Sequence, residues 1–156
     1  FCDGGSLEVK GGSSIVPIIN KIREKNAFNE VILTSDWHPD NHCSFQKNNP
    51  GSELFKPIVL PKTNVTQVMW PVHCVAGTSG AEFHSELVTN STDRIIRKGT
   101  NPDWDSYSGF GVAADETNLK KELSDAKIDN VFVVGLALDY CVGNTALDAA
   151  KNGYRT

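Results

Sequence analysis

Three of the four histidines in the chain lie in two short polar segments, close to an aspartate. Asp36 and His38 directly follow the apolar run 31–34, and their side chains are expected to project to the same side because strand residues two apart share a face. A second imidazole is supplied by either His42 or His73. Two imidazoles and one carboxylate leave positions open on a divalent ion, which suits Zn, Fe or Mn more than a closed structural zinc. A single loop histidine more often hydrogen-bonds within a turn, so it is the clustering that favours a metal site.

Cys141 is the second candidate for chemistry. It follows the apolar run 131–134 and a turn, and it opens a segment whose alanines and leucine predict a helix over 141–152. Free N–H groups and the helix dipole at such a position stabilise a thiolate, and Lys98 could add a cation. A thiol pKa below the free value of about 8.5 is therefore expected. The alternative is that Cys141 is a small buried apolar residue, which is the interpretation kept for the other three cysteines.

Aromatic side chains accompany these groups. Trp37, Trp70 and Tyr107 lie in the same polar segments, and their flat faces could sandwich a planar ring. Ordinary packing in the core is the alternative for each of them.

The elements that must position these groups alternate between helices and buried strands. A first helix is predicted where a serine cap precedes four isoleucines that share one helical face, Ile15, Ile18, Ile19 and Ile22. Buried strands are predicted over 31–34, 94–98 and 131–134, further helices over 116–126 and 141–152, and loops over 39–93. This alternation predicts an α/β fold with a parallel sheet, in which active sites gather at the carboxyl ends of the strands.

Composition narrows the classes of function. The chain has 156 residues, 39% of them hydrophobic and 22% charged, as in an ordinary globular domain. Its net charge of −4 provides no basic field for a phosphate backbone, so nucleic acid is not an expected partner. No apolar run approaches the roughly 18 residues that would indicate a membrane span, and no signal peptide is recognisable, so a cytoplasmic protein without a membrane partner is expected.

The spacing of the cysteines and the two ends of the sequence bear on disulfide bonding and on the extent of the domain. The four cysteines have no paired spacing and are expected to be free thiols. The sequence begins with Phe1 and ends at Thr156, just after a predicted helix, where an α/β protein would usually start another strand. We therefore expect one domain over 1–156 that lacks its first strand and its C-terminal part.

Six segments occur in the order found in one enzyme family: FCDGGSL (1–7), DWHPDNHCSF (36–45), WPVHCVAGTSG (70–80), RKG (97–99), DSYSGF (105–110) and GLALDYCV (135–142). Together they resemble the nicotinamidases of the isochorismatase-like cysteine hydrolase superfamily, over nearly the whole chain. The combination is much more specific than any single segment. The resemblance implies a three-layer α/β/α fold around a central, mainly parallel sheet.

The resemblance also implies catalytic roles. Cys141 is similar to the family's nucleophile and Lys98 to the lysine of its Asp-Lys-Cys triad, whose aspartate lies a few residues before Phe1. The bond between Leu136 and Ala137 is similar to the family's cis peptide. The N–H groups of Ala137 and Cys141 are similar to its oxyanion hole.

Binding roles follow from the same resemblance. Asp36, His38 and His73 are similar to the family's metal ligands, and His42 to a group behind them or, in some relatives, to a further ligand. The implied ion is one divalent metal, zinc before iron or manganese. The walls of the implied pyridine pocket are Phe1, Trp70, Tyr107 and Ala137.

The implied activity is the hydrolysis of nicotinamide, or of a close pyridine or pyrazine carboxamide, through a cysteine thioester, as part of NAD salvage. Two alternatives stay open. One is another hydrolase of the superfamily, such as an isochorismatase or a carbamoyl-group amidase, and the other is an inactive module that binds pyridines. Assembly into a homo-oligomer is also left open.

Overall fold

A computed structural model describes all 156 residues, Phe1–Thr156. It contains three α-helices and six short β-strands. In chain order these are α1 (Val16–Lys25), β1 (Ile32–Asp36), β2 (Pro57–Val59), β3 (Thr66–Val68), β4 (Arg94–Lys98), β5 (Gly111–Val112), β6 (Asp115–Glu116), α2 (Leu119–Asp125) and α3 (Gly143–Lys151). None of the helices is both long enough and apolar enough to cross a membrane.

The pairing of β1 with β4 positions the site. The two strands run parallel, in a register that places Ile32 opposite Arg94 and Asp36 opposite Lys98. Both strands form where the sequence predicts them, with β1 shifted toward its carboxyl end, but they are only partly buried, and Ile95 of β4 is 51% exposed. Because parallel strands end at the same edge of a sheet, the reactive residues at their carboxyl ends are neighbours.

The predicted strand over 131–134 does not form, and this prediction was wrong. Phe132 is 76% exposed and Val134 52% exposed. The backbone pairing near this segment consists of an isolated bridge between Asn130 and Arg155, with the Val131 N–H donating to the Arg155 carbonyl at 2.7 Å. A run of β-branched residues favours an extended chain, but a strand also requires a continuous ladder with a neighbour, and this segment has none.

The helices follow the predicted pattern with local differences. α1 begins at Val16, after a 3₁₀ turn over Gly12–Ile15, and no side chain caps it. Ile18 on the predicted apolar face is 57% exposed, so that face is only partly buried. α2 and α3 lie within the predicted ranges, and a π-helical turn over Leu138–Val142 leads into α3.

The long segment between β1 and β4 is mostly loop, as predicted, but it also contains the antiparallel hairpin of β2 and β3. Leu119 and Leu123 of α2 pack with Ile96 of β4 in a small buried cluster. This cluster fixes β4 from one side while the long loop wraps around the end of the strands.

An ion pair ties α1 to the turn before β4. Both nitrogens at the tip of Arg23 donate to the carboxylate of Asp93, at 2.6 and 2.7 Å. The hydrogen bond from Arg23 holds the pKa of Asp93 below its ordinary value. The pair therefore contributes stability above the unfolded carboxyl pKa of about 3.9, and this contribution is lost as the pH falls through the lower folded value.

We expect Asp93→Asn to lower the free energy of unfolding by about 1–2 kcal/mol at neutral pH, because the bidentate charge-assisted bond is lost. The difference from the wild type should shrink at a pH below about 3.9, where the carboxylate of the unfolded chain is protonated. Urea unfolding at the two pH values measures both. Asp40→Asn, which removes an exposed pair with Lys47, is the matched control and should change stability by less than about 0.5 kcal/mol. A deficit for Asp93→Asn that is equal at both pH values would contradict the assignment.

Candidate active site

Lys98, at the end of β4, contacts both Asp36 at the end of β1 and the predicted nucleophile Cys141. Its ammonium donates to Asp36 Oδ1 at 2.5 Å, to the Ser106 carbonyl at 2.8 Å and to Cys141 Sγ at 3.5 Å. An ammonium group has three donors, so each of them has an acceptor. Lys98 is 4% exposed and Asp36 6% exposed, which makes this a buried and fully directed cation.

The two charged groups hold each other ionised. Burial alone would raise the pKa of Asp36, but the nearby charge of Lys98 and its hydrogen bond to the carboxylate outweigh this effect, and the pKa lies below its ordinary value. Burial would lower the pKa of Lys98, and the Asp36 carboxylate reverses this effect, so the pKa is raised. Lys98 therefore acts as a fixed positive charge and not as a base.

The thiol of Cys141 differs from the expectation. Burial raises its pKa above the ordinary value, and the attraction of Lys98 only partly offsets this effect. The expected low pKa was therefore wrong, chiefly because the thiol is buried. Asp36 also opposes the effect of Lys98, and Cys141 lies inside a π-helical turn instead of at the start of an α-helix.

The turn that carries Cys141 is built around Ala137. The peptide bond between Leu136 and Ala137 is cis, as the resemblance implies. The Ala137 carbonyl accepts hydrogen bonds from the N–H groups of Tyr140 and Val142, each at 3.1 Å. The Ala137 N–H itself donates no hydrogen bond within the protein, so this donor is available to an oxyanion.

Asp36, His38 and His73 converge next to this turn. Asp36 Oδ2 lies 3.7 Å from His38 Nε2 and 3.8 Å from His73 Nε2, and one donor atom from each residue lies within 4.8 Å of the others. The opposite ring nitrogens donate to backbone carbonyls, His38 Nδ1 to Gly99 and His73 Nδ1 to Pro71, both at 2.8 Å. Because the Nδ1 atoms carry the protons, the Nε2 lone pairs face the carboxylate, as ligands of a divalent ion require. The donor set therefore fits such an ion.

His42 stands behind His38. Its Nε2 donates to the Trp104 carbonyl at 3.1 Å, and its Nδ1 accepts from the Ser44 hydroxyl at 2.8 Å. The rings of His42 and His38 are 4.1 Å apart, and burial lowers the pKa of His42 to about 4. His42 also belongs to a second group of potential donors, with His38 and Asp105, but both of its ring nitrogens are already hydrogen-bonded.

A group of aromatic rings lies near these residues. Trp70 Nε1 donates to the Tyr107 hydroxyl at 3.2 Å, and the two ring centroids are 6.4 Å apart. The Phe1 ring packs at 5.6 Å from His73. Tyr140 completes the group, at 5.0 Å from Trp70 and 5.2 Å from Tyr107. Flat apolar faces of this kind can pack against a planar ligand.

Comparison with known proteins identifies the family. A family model described as "Isochorismatase domain" matches residues 1–156. A curated nicotinamidase of Acinetobacter baylyi is 44% identical, over 98% of this chain and 71% of its own length. This chain belongs to the nicotinamidases of the isochorismatase family.

Solved structures of the family agree with the fold. A nicotinamidase of Acinetobacter baumannii superposes with a TM-score of 0.92 at 46% identity, covering all of this chain and 74% of its own. The yeast nicotinamidase bound to the inhibitor nicotinaldehyde has a TM-score of 0.90 at 32% identity, over 100% and 79% of the two chains. A pyrazinamidase of Pyrococcus horikoshii in complex with zinc has a TM-score of 0.77 at 37% identity, over 99% and 74%. The predicted α/β fold is confirmed.

The structure brings together most of the residues that the resemblance to the family singled out. Lys98 contacts both Asp36 and Cys141, and His38 and His73 face the same carboxylate. Trp37, a candidate only from its place in the same polar segments, is different, because its ring packs against the guanidinium of Arg97 and not with the other aromatic rings. The aspartate that the resemblance implies before Phe1 lies outside the described residues.

Two residues near the site were not foreseen. Tyr140 packs with the aromatic walls, and its place directly before Cys141 was the available signal. Gly99 accepts the hydrogen bond from His38, and it adopts φ +61 with the His38 ring so close that a Cβ atom would lie 2.4 Å from it. Only glycine fits this position, and the signal was a glycine immediately after Lys98.

The remaining cysteines are free, as predicted. Burial raises the pKa of Cys43 and of Cys74 to about 12. Both thiols are therefore protonated and unreactive at neutral pH.

Proposed function

We propose that this protein hydrolyses nicotinamide to nicotinate and ammonia, a reaction that recycles the pyridine ring for NAD synthesis. The observation that carries the proposal is the position of Lys98, which contacts the Cys141 thiol on one side and the carboxylate of a metal-binding cluster on the other. Because Lys98 contacts both, the nucleophile and the ion site lie close together. This arrangement suits a ring that carries an amide on one side and a metal-binding atom on the other.

In the proposed reaction, Cys141 Sγ attacks the amide carbon. The thiol proton passes to the carboxylate expected before Phe1, and the positive charge of Lys98 stabilises the sulfur as it becomes negative. The N–H groups of Ala137 and Cys141 hold the oxyanion. The C–N bond then breaks, ammonia leaves with the transferred proton, and a thioester remains. Water cleaves the thioester and regenerates the thiol.

Asp36, His38 and His73 would hold a divalent ion, for which we propose zinc, with iron or manganese as the alternatives. When bound, such an ion coordinates a heteroaromatic nitrogen and so orients the ring. The related pyrazinamidase in complex with zinc supports this choice, as does the donor set of two imidazoles and one carboxylate.

The aromatic walls suit a flat six-membered ring. We propose that Trp70 and Tyr107, with Phe1 near His73 and with Ala137, line the pocket that holds it. The inhibitor nicotinaldehyde on the related yeast enzyme supports a pyridine ligand, and the related pyrazinamidase supports a pyrazine carboxamide as an alternative substrate.

The test is the release of ammonia from nicotinamide by the purified protein, together with metal analysis. We expect ammonia and nicotinate in equal amounts and about one equivalent of bound zinc. Benzamide has the same amide but no ring nitrogen, and it should react at least about 100-fold more slowly. Binding of nicotinamide without ammonia release would indicate an inactive pyridine-binding module. Faster hydrolysis of a carbamoyl substrate would indicate a different hydrolase of the family.

A further inference from the structure

Ser35 and Trp37, at the end of β1, form a face that the proposed reaction does not use, which we call the reverse face. Asp36 and His38 lie two residues apart and face the metal cluster, and Trp37 between them lies on the opposite side. The Trp37 N–H donates to the Lys98 carbonyl at 3.0 Å, which extends the pairing of β1 with β4 past the last strand residue. The position of Trp37 is therefore coupled to the backbone of β4 at Lys98.

Arg97 holds this reverse face. Its guanidinium carbon lies 3.9 Å from the centroid of the Trp37 ring, and its Nη1 donates to the Ser35 hydroxyl at 2.7 Å. The Phe83 ring lies on Arg97 as well, at 5.4 Å. Arg97 forms no ion pair with a carboxylate. Its charge is therefore directed at aromatic faces, where a planar guanidinium stacks well.

We propose that Arg97 is a positioning residue for the metal ligands, acting through Trp37. Stacking fixes the Trp37 ring, and the hydrogen bond fixes Ser35, so the residues on both sides of Asp36 are held. With its neighbours held, the backbone cannot rotate to swing Asp36 and His38 away from His73. The inference rests on the proposed function for the metal site, because the arrangement that Arg97 maintains is that of the ligands.

The expected effect is a loss of metal affinity. Outer groups that orient metal ligands typically contribute about 10–100-fold to affinity, and Arg97 acts one residue further away, so we expect Arg97→Met to bind Zn²⁺ about 10-fold more weakly. Arg97→Lys keeps a cation that can reach the Trp37 ring and should recover part of this loss. Trp37→Phe keeps a ring and should also be intermediate, whereas Trp37→Ala should match Arg97→Met.

The experiment measures the Zn²⁺ affinity of each full-length variant by competition with a chromophoric chelator, and the absorption spectrum of the Co²⁺ form. Two controls separate positioning from general stability. Arg94→Gln alters an exposed arginine on the same strand whose partners are the half-buried carboxylates of Glu30 and Glu122. Leu123→Ala weakens the buried cluster of α2. Both controls should bind Zn²⁺ within about twofold of the wild type, with an unchanged Co²⁺ spectrum.

The proposal is supported if Arg97→Met lowers Zn²⁺ affinity and alters the Co²⁺ spectrum while Leu123→Ala, at a similar or lower melting temperature, does neither. Wild-type affinity in Arg97→Met, or an equal loss in Leu123→Ala, overturns it, as does a wild-type protein that binds no Zn²⁺. Ammonia release from nicotinamide by the wild type is measured in parallel. Its absence would refute the proposed function but would leave the comparison of Zn²⁺ affinities to decide the role of Arg97.

Discussion

Cys141→Ala should reduce the turnover of nicotinamide at least about 10⁴-fold, because removing the nucleophile of a covalent mechanism leaves only binding and oxyanion stabilisation. The thiol is the group to which the buried ammonium of Lys98 points, at 3.5 Å, and alanine offers nothing that can form a thioester. Ammonia release under saturating nicotinamide measures the loss. Nicotinamide binding, followed by calorimetry, should be nearly unchanged.

Cys43→Ala is the matched control for this prediction. Cys43 is also a free and partly buried thiol, but its backbone N–H bonds the Pro102 carbonyl and burial raises its pKa to about 12. Its loss should leave turnover within about threefold of the wild type. A Cys141→Ala protein that still released ammonia at the rate of Cys43→Ala would remove the cysteine from the mechanism.

Lys98→Met should have the second largest effect, and it should appear in both activity and stability. Without the ammonium, the developing thiolate loses its positive neighbour, and we expect turnover to fall about 10³-fold. The carboxylate of Asp36, 6% exposed, would remain buried without its partner, which typically costs about 3–5 kcal/mol of folding free energy. Urea unfolding of the metal-free protein measures this cost directly, since no bound cation can then replace Lys98.

The double variant Lys98→Met with Asp36→Asn tests the cause. It replaces the pair by two uncharged groups and should recover more than half of the lost stability, because no unpaired charge remains. It should not recover activity, since the lysine and one proposed metal ligand are both absent. A double variant as unstable as the sum of the two single variants would show that Asp36 and Lys98 are not coupled.

The sequence alone could predict the parts of the fold that depend on local patterns. The apolar runs of β1 and β4 and the alanine-rich α3 follow from residue spacing. The grouping of Asp36 with His38 follows in the same way, since the two positions share a strand face. The choice of His73 over His42 could not be made from spacing. It depends on which ring nitrogens are occupied by Ser44 and the Trp104 carbonyl.

Features set by contacts between distant segments could not be read from the sequence. The run 131–134 has strand composition but no ladder, and only the structure shows which neighbours it has. The thiol pKa of Cys141 was expected to be low because Lys98 is near. Burial of the thiol raises the pKa instead, and Asp36, at 2.5 Å from Lys98, opposes the effect of the lysine. The stacking of Arg97 on Trp37 joins residues on different strands and has no signal in the spacing of either.

The opposition of Asp36 and Lys98 across β1 and β4 has a consequence for how this protein tolerates insertions and deletions. Side chains alternate between the two faces of a strand, so shortening or lengthening either strand by one residue turns every later side chain to the other face. Deleting Thr34 would then turn the Asp36 carboxylate away from Lys98, and deleting Ile95 would turn the Lys98 ammonium away from the thiol. We expect tolerated insertions and deletions to be confined to the surrounding loops. The two strands should keep their combined length of ten residues even where the residue types change.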